Sequence, residues 1–385
     1  MTSPEPVSPD SGGPPPRRGA ASPLARILPE VDDRWMAHWP MMLLGLVILY
    51  NVLPGAYGEY VVSVAVLGSM FAIGALGLNV HYGFAGLLNF GHVMFLMVGA
   101  YTTALLVSGR GMNIFLAMLI GAVVASVLGL VVGAFSLRLR TDYLAIVTIA
   151  MAEMGRVIIK NSGSFRVDPL TGSGKTIGTG GVFGVQNFSS GFNSFLDTTL
   201  PFVNSHAWQL FIFNAVVITI ILYMTWTLRR SPWGRALRAI REDEDIAAAL
   251  GKPTFLLKLQ AFAVGGFIGA FAGVAFALNN NFIDPDTWLP IFTFRIWIAM
   301  IMGGAGTIFG PVLGAMLLQS IFSLVRFLPN IAASPLFGWI PESLVSSNRI
   351  FALQGMLLGL LIMLVVIFRP QGVLGSREDL ILEGT

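Results

Sequence analysis

Cysteine is absent from the 385 residues, and charge is scarce, with Asp, Glu, Lys and Arg making up only 11%. The first absence excludes structural disulfides, thiolate metal sites and thiol catalysis. The second excludes an ordinary soluble fold, in which about 25% of residues are charged. Histidine is also rare, and His38, His81, His92 and His206 are scattered without ligand spacing, so no metal site is expected. What is abundant is apolar: hydrophobic residues make up 55% and the mean hydropathy is +0.76. Forty-four glycines fit the same class, since small residues let membrane helices approach closely. The chain reads as an all-α, polytopic membrane protein. A net charge of +3 then reports topology, and nucleic acid is not an expected partner.

Residues 1–35 are rich in Pro, Gly and Ser and read as a disordered cytoplasmic tail. Arg17 and Arg18 are followed by no apolar run until Met41, unlike a signal peptide. A transmembrane domain is expected over 36–370, with a short cytoplasmic tail at 371–385. Crossing ~30 Å of hydrocarbon takes ~20 residues. Runs of suitable length occur at 41–58, 60–80, within 82–109, at 111–137, 143–160, 208–228, 259–283, 288–302, 311–328 and 350–368, which predicts about ten transmembrane helices. With the N-terminus inside, fifteen Lys and Arg fall on inside segments and five on outside ones, so both termini are expected in the cytoplasm. The polar stretch 161–205 then becomes an extracytoplasmic loop. It contains LTGSGKT, which imitates a phosphate-binding loop, but Pro169 stands where the pattern needs its first Gly.

The inside segment 229–258 reads RRSPWGRALRAIREDEDIAAALGKPTFLLK. Ser231 is a helix N-cap and Pro232 a first helical residue. Trp233, Leu237 and Ile240 then share one apolar stripe, while Arg235, Arg238 and Glu242 take another face. A second short helix carries Ile246, Ala249 and Leu250 and stops at Gly251. Physics leaves two readings open: a surface for a cytosolic partner, or a solvated loop obeying the positive-inside rule.

Gly234–Gly251 resembles the coupling loop of ABC importer permeases, most closely branched-chain amino acid permeases of the LivM type. Similar matches follow the family's order at Leu76–Tyr101, Leu137–Ile158, Leu170–Gly172 and Gly303–Ala315. The resemblance implies a multi-pass cell-membrane transport subunit without enzymatic activity or cofactor. Its cargo would be branched-chain or other neutral amino acids, with urea or short-chain amides the alternative and an ion-coupled secondary transporter a more distant one. The implied partners are a homologous second permease, two cytosolic ATPase subunits, an extracytoplasmic substrate-binding protein and membrane lipid. Coupling to the ATPase would fall to Gly234, Arg235, Leu237, Arg238, Ile240, Glu242, Ala247 and Gly251. Relatives usually carry Glu where this chain has Ala248.

Two glycine-rich interruptions, Gly83–Gly91 and Gly303–Pro311, read either as broken helices at a pathway or as close packing. Asn89 and His92 are pathway candidates on the first reading. Glu153 and Arg156 are three apart on one helix, with Glu153 ~16 Å from Asp142 and thus near mid-bilayer. Intramembrane ionisable groups are functional candidates, with a structural ion pair as the rival reading. Arg295 joins them, at a point where relatives often carry an acidic residue.

Overall fold

The computed structural model describes residues 55–139, 141–162, 164–166, 176–201, 203, 205–332, 347–368 and 372–374. The expected N-terminal tail, most of the expected first span, and Gly174 and Lys175 of the false phosphate loop lie outside these residues, as does everything beyond Leu374.

Helix α1 (Gly55–Asn79) leads into one π-helical turn, Val80–Phe84, and then α2 (Val93–Arg110), α3 (Ile114–Ser136) and α4 (Thr141–Asn161). Short strands β1 (Ser164–Arg166), β2 (Thr176–Gly178) and β3 (Val185–Gln186) precede α5 (Ser190–Thr199). The second half comprises α6 (His206–Arg230), α7 (Pro232–Glu242), α8 (Glu244–Ala249), α9 (Thr254–Asn280), β4 (Phe282–Ile283), α10 (Pro290–Gly303), α11 (Gly310–Ala332) and α12 (Ser347–Phe368). Among the described residues, five stretches are long and apolar enough to cross a membrane: Tyr60–Phe84, Val93–Arg110, Ile114–Ser136, His206–Arg230 and Thr254–Asn280. Shorter apolar helices follow at Pro290–Gly303, Gly310–Arg326 and Ala352–Leu361. The described fold is thus that of an all-α polytopic membrane protein, with two small β-pairs on its loops.

The helices are patterned for lipid. On α3, Ala117, Gly121, Ala122, Ala125, Gly129 and Gly133 face inward, while Leu116, Leu119, Val123, Val127, Val131 and Phe135 are exposed. Small inside and large outside reverses the soluble arrangement, because close backbone approach, rather than escape from water, holds such helices together. α9 packs against α1, α2 and α3. Its Gly265, Gly269 and Gly273 recur every four residues and face His81, His92 and the Leu96 carbonyl respectively. A Cβ on Gly273 would stand 1.9 Å from that oxygen.

Some details differ from the sequence reading. The expected break between 58 and 60 is absent, since α1 runs unbroken through Gly58 and Glu59. Neither residue interrupts a helix by more than ~1 kcal/mol. The run 82–109 holds one span within it, as expected: its first third is a π turn and irregular chain, and 93–110 forms the helix. The 161–205 segment is ordered along much of its described length. In α5, Phe192 and Leu196 are buried, and Phe192 meets Phe213 of α6 at 4.9 Å between ring centres. β3 pairs antiparallel with β4, Val185 opposite Ile283. The expected C-terminal tail also begins anchored. Val373 and Leu374 donate backbone hydrogen bonds to the Met302 and Gly303 carbonyls, both at 2.9 Å.

Candidate functional site

Ser231 turns the chain from α6 into α7. Its hydroxyl accepts from the Gly234 N–H at 3.3 Å, and Pro232 supplies the fixed φ of the first helical residue. Gly234 is required there, because a Cβ would lie 2.3 Å from the Leu228 carbonyl oxygen. The buried stripe of α7 is Gly234, Leu237 and Ile240. Trp233, expected in that stripe, is instead half-exposed and donates from Nε1 to Gln260 Oε1 on α9 at 2.8 Å.

Asp243 caps α8 by accepting from the Ile246 N–H at 2.9 Å, and Gly251 ends the corner with φ +77°. Ala247 turns inward. Ile246 and Leu250, the expected apolar face, are exposed at 61% and 75%. Ala248 and Glu242 are exposed beside them. Arg235 is exposed and donates to the Arg230 carbonyl at 2.7 Å, whereas Arg238 is half-buried and reaches the Arg229 carbonyl at 3.4 Å. Lys258 and Glu244 form an ion pair that ties α8 to α9. The corner is therefore held from beneath and presents an apolar pair ringed by charge.

The residue that sequence reasoning missed is Arg241. Its Nη1 donates to the Gly83 carbonyl in the π turn at 2.7 Å. A cavity of about 320 Å³ adjoins it, lined among others by Gly86, Leu87, Leu139, Leu144, Glu244 and Lys258. A π turn leaves carbonyls off the regular ladder, but no sequence pattern marks which side chain collects them.

Beyond the π turn the chain runs without regular structure from Gly86 to Asn89 before α2 begins. Backbone polar groups inside a membrane protein need partners there, and these are supplied. Trp297 Nε1 donates to the Asn89 carbonyl at 3.1 Å. The Phe90 N–H donates to Thr148 Oγ1 at 3.2 Å, and the Val93 N–H to Thr293 Oγ1 at 3.0 Å. Asn89 and His92 are both buried. Asn89 Nδ2 donates to His81 Nδ1 at 3.1 Å, which puts the His81 proton on Nε2, facing the Phe262 carbonyl at 3.1 Å. His92 Nε2 lies 3.1 Å from the Gly74 carbonyl, and its Nδ1 meets no partner among the described residues. The two glycine-rich interruptions touch each other through Asn79. Its Oδ1 accepts from the Gly306 N–H and its Nδ2 donates to the Thr307 carbonyl, both at 2.8 Å.

Glu153 and Arg156 do pair, at 3.0 Å through Nε and 2.5 Å through Nη2, but they do not stand alone. Arg156 Nη1 also reaches Asp286 at 2.6 Å, and Lys160 Nζ reaches the same carboxylate at 2.8 Å. Asp286 sits in the turn Pro285–Trp288 between β4 and α10, so the cluster gathers at the loop end of α4. Long cationic side chains reach toward a membrane boundary rather than across the core. The Lys160 ammonium, then the Arg156 guanidinium, hold the Asp286 carboxyl below its ordinary value. Arg295 stands apart from this cluster. It is half-buried on α10, with its guanidinium 5.6 Å from the Phe322 ring centre and its Nε without a partner among the described residues. The predicted residues thus divide into the α7–α8 corner, the buried Asn89–His92 break, the Glu153–Arg156 end cluster, and Arg295.

Residues 60–366 match the family described as branched-chain amino acid transport system / permease component. The chain is 29% identical over 354 residues to the Escherichia coli high-affinity branched-chain amino acid transport permease LivM, covering 90% of this chain and 77% of that protein. It is 26% identical over 331 residues to BraD of Pseudomonas aeruginosa, a permease of the same description, covering 84% and 97%. A probable LivM of Methanocaldococcus jannaschii is 25% identical over 345 residues, covering 80% and 91%. No solved structure matches.

Proposed function

Because the chain belongs to the permease components of branched-chain amino acid transport systems, we propose that it forms half of the translocation pathway of an ATP-driven importer. It is a multi-pass membrane transport subunit, not an enzyme. Its cargo is a branched-chain or other neutral amino acid, delivered by an extracytoplasmic binding protein. A homologous second permease completes the pathway, and two cytosolic ATPase subunits drive it. About ten helices span the membrane, with both termini, 1–35 and 371–385, in the cytoplasm. The 229–258 corner is then cytoplasmic and 161–205 extracytoplasmic.

The observation that carries this reading is the α7–α8 corner. Leu237, Ile240 and Ala247 fix it to the bundle, while Ile246 and Leu250 remain open to a partner. Gly234 and Gly251 shape the two ends, and Arg235, Arg238 and Glu242 supply charge for ATPase contact. Asn89, His92, Glu153, Arg156 and Arg295 are the groups proposed to shape the pathway or its mouth.

The test is reconstitution in vesicles with the cognate ATPase subunits and binding protein. ATP-dependent leucine uptake is expected, competed by other neutral amino acids and not by urea. Charge reversal of both Arg235 and Arg238 should uncouple uptake from ATP hydrolysis while membrane insertion persists. Uptake by vesicles lacking the ATPase subunits would overturn the reading.

A further inference from the structure

Three glycines from two separate chain breaks converge on one side chain. Arg241 Nη1 donates to the Gly83 carbonyl at 2.7 Å. A Cβ on Gly306 would lie 3.0 Å from the same Nη1, and one on Gly86 would lie 3.2 Å from Arg241 Cγ. Gly86 and Gly306 have φ of +69° and +79°, which other residues rarely adopt. Gly83 has no room either, since its Cβ would fall 2.5 Å from the Gly306 nitrogen. The π turn, the Gly304–Phe309 turn and the last turn of α7 therefore meet at a single guanidinium.

We infer that Arg241 is a positioning residue that ties displacement of α7 to both breaks at once. This rests on the reading that the α7–α8 corner meets the ATPase. α7 joins the bundle through two kinds of contact. Leu237 and Ile240 are apolar and tolerate sliding, whereas the bonds from Trp233 to Gln260 and from Arg241 to Gly83 are directional, and of these two the Arg241 bond is the one that reaches a chain break. Its acceptor is a carbonyl, so breaking the bond strands no buried anion, as suits a joint that opens and closes in each cycle. A pull on α7 is thus delivered to Gly83, and through Asn79 to Gly306 and Thr307.

The experiment compares wild type, Arg241→Ala, Arg241→Lys, Gly306→Ala and the Arg241→Ala, Gly306→Ala double variant in the full reconstituted complex, reading amino acid transported per ATP hydrolysed. With Arg241→Ala this ratio should fall about tenfold, within the usual range of coupling between sites. Arg241→Lys should recover part of the loss, because an ammonium still donates to one carbonyl. Gly306→Ala should lower the ratio alone and add nothing to Arg241→Ala. A wild-type ratio in Arg241→Ala, with wild type itself transporting, overturns this inference and leaves the importer reading standing. Absence of ATP-dependent uptake in wild type overturns both. Should Arg241→Ala fail to assemble, the Lys and Gly306 variants decide: wild-type ratios in both sink the proposal.

Discussion

Replacing Asn79 by leucine removes two hydrogen bonds while keeping the branching of the side chain and adding bulk. The Gly306 N–H loses its acceptor and the Thr307 carbonyl its donor, each now bonded at 2.8 Å. A net bond contributes about 1 kcal/mol, and a fully buried orphan costs up to about 3. Gly306 and Thr307 are half-exposed, so water recovers part of the loss, and about 1 kcal/mol per bond is appropriate. Leucine also carries bulk toward Gly83, which leaves only 2.0 Å between its ideal Cβ and Asn79 Oδ1. Overpacking of that kind costs about 1 kcal/mol or more. The sum is about 3 kcal/mol, a fall in unfolding midpoint of roughly 4–5 °C for a domain of this length, at ~2.1 cal/mol/K per residue. Thermal unfolding of the purified protein in detergent measures it. Asn161→Leu is the control, since Asn161 is exposed and bonds only within its own helix, to the Val157 carbonyl. It should stay within about 0.5 kcal/mol of wild type. Equal midpoints for the two variants would refute the claim that Asn79 fastens the two chain breaks together.

Gly273→Ala drives a methyl to 1.9 Å from the Leu96 carbonyl oxygen, so α9 and α2 must separate, and a loss of about 1–3 kcal/mol is expected. Gly355→Ala on α12 meets nothing within 4 Å and should be neutral or gain up to about 1 kcal/mol from helix propensity; unfolding midpoints of the two check this. Asp286 has a folded-state value lowered from 3.8, so its contribution is complete above 3.8 and disappears as pH falls through the lower value. The stability difference between wild type and Asp286→Asn should therefore be flat from neutral pH down to about 4 and shrink only below that. Since the chain has no cysteine, Phe183→Cys and Leu250→Cys provide single probes at exposed positions. An impermeant maleimide should label the first from outside intact cells and the second only after permeabilisation.

Composition and periodicity reached a long way. Apolar run lengths placed most helices within a few residues, because crossing a bilayer demands a length that must be written locally. Ser231, Pro232 and Gly251 announced the α7–α8 corner for the same reason: caps and stops act on neighbouring backbone. The 161–205 segment was less legible, because α5 is held by aromatic contacts to α3 and α6 and not by any period of its own.

By itself the sequence determined the solvent, the approximate helices, the absence of thiol chemistry and the amphipathic corner. Each is a property of composition or of residues within one or two turns. Only the tertiary structure decided what the charged and polar residues do. Arg156 finds Asp286 across 130 positions, Asn79 finds Thr307 across 228, and Arg241 finds Gly83 across 158. Two of these three partners are backbone carbonyls, which every residue carries. Sequence therefore cannot mark them, and only the folding of distant breaks onto one another selects which carbonyl is met.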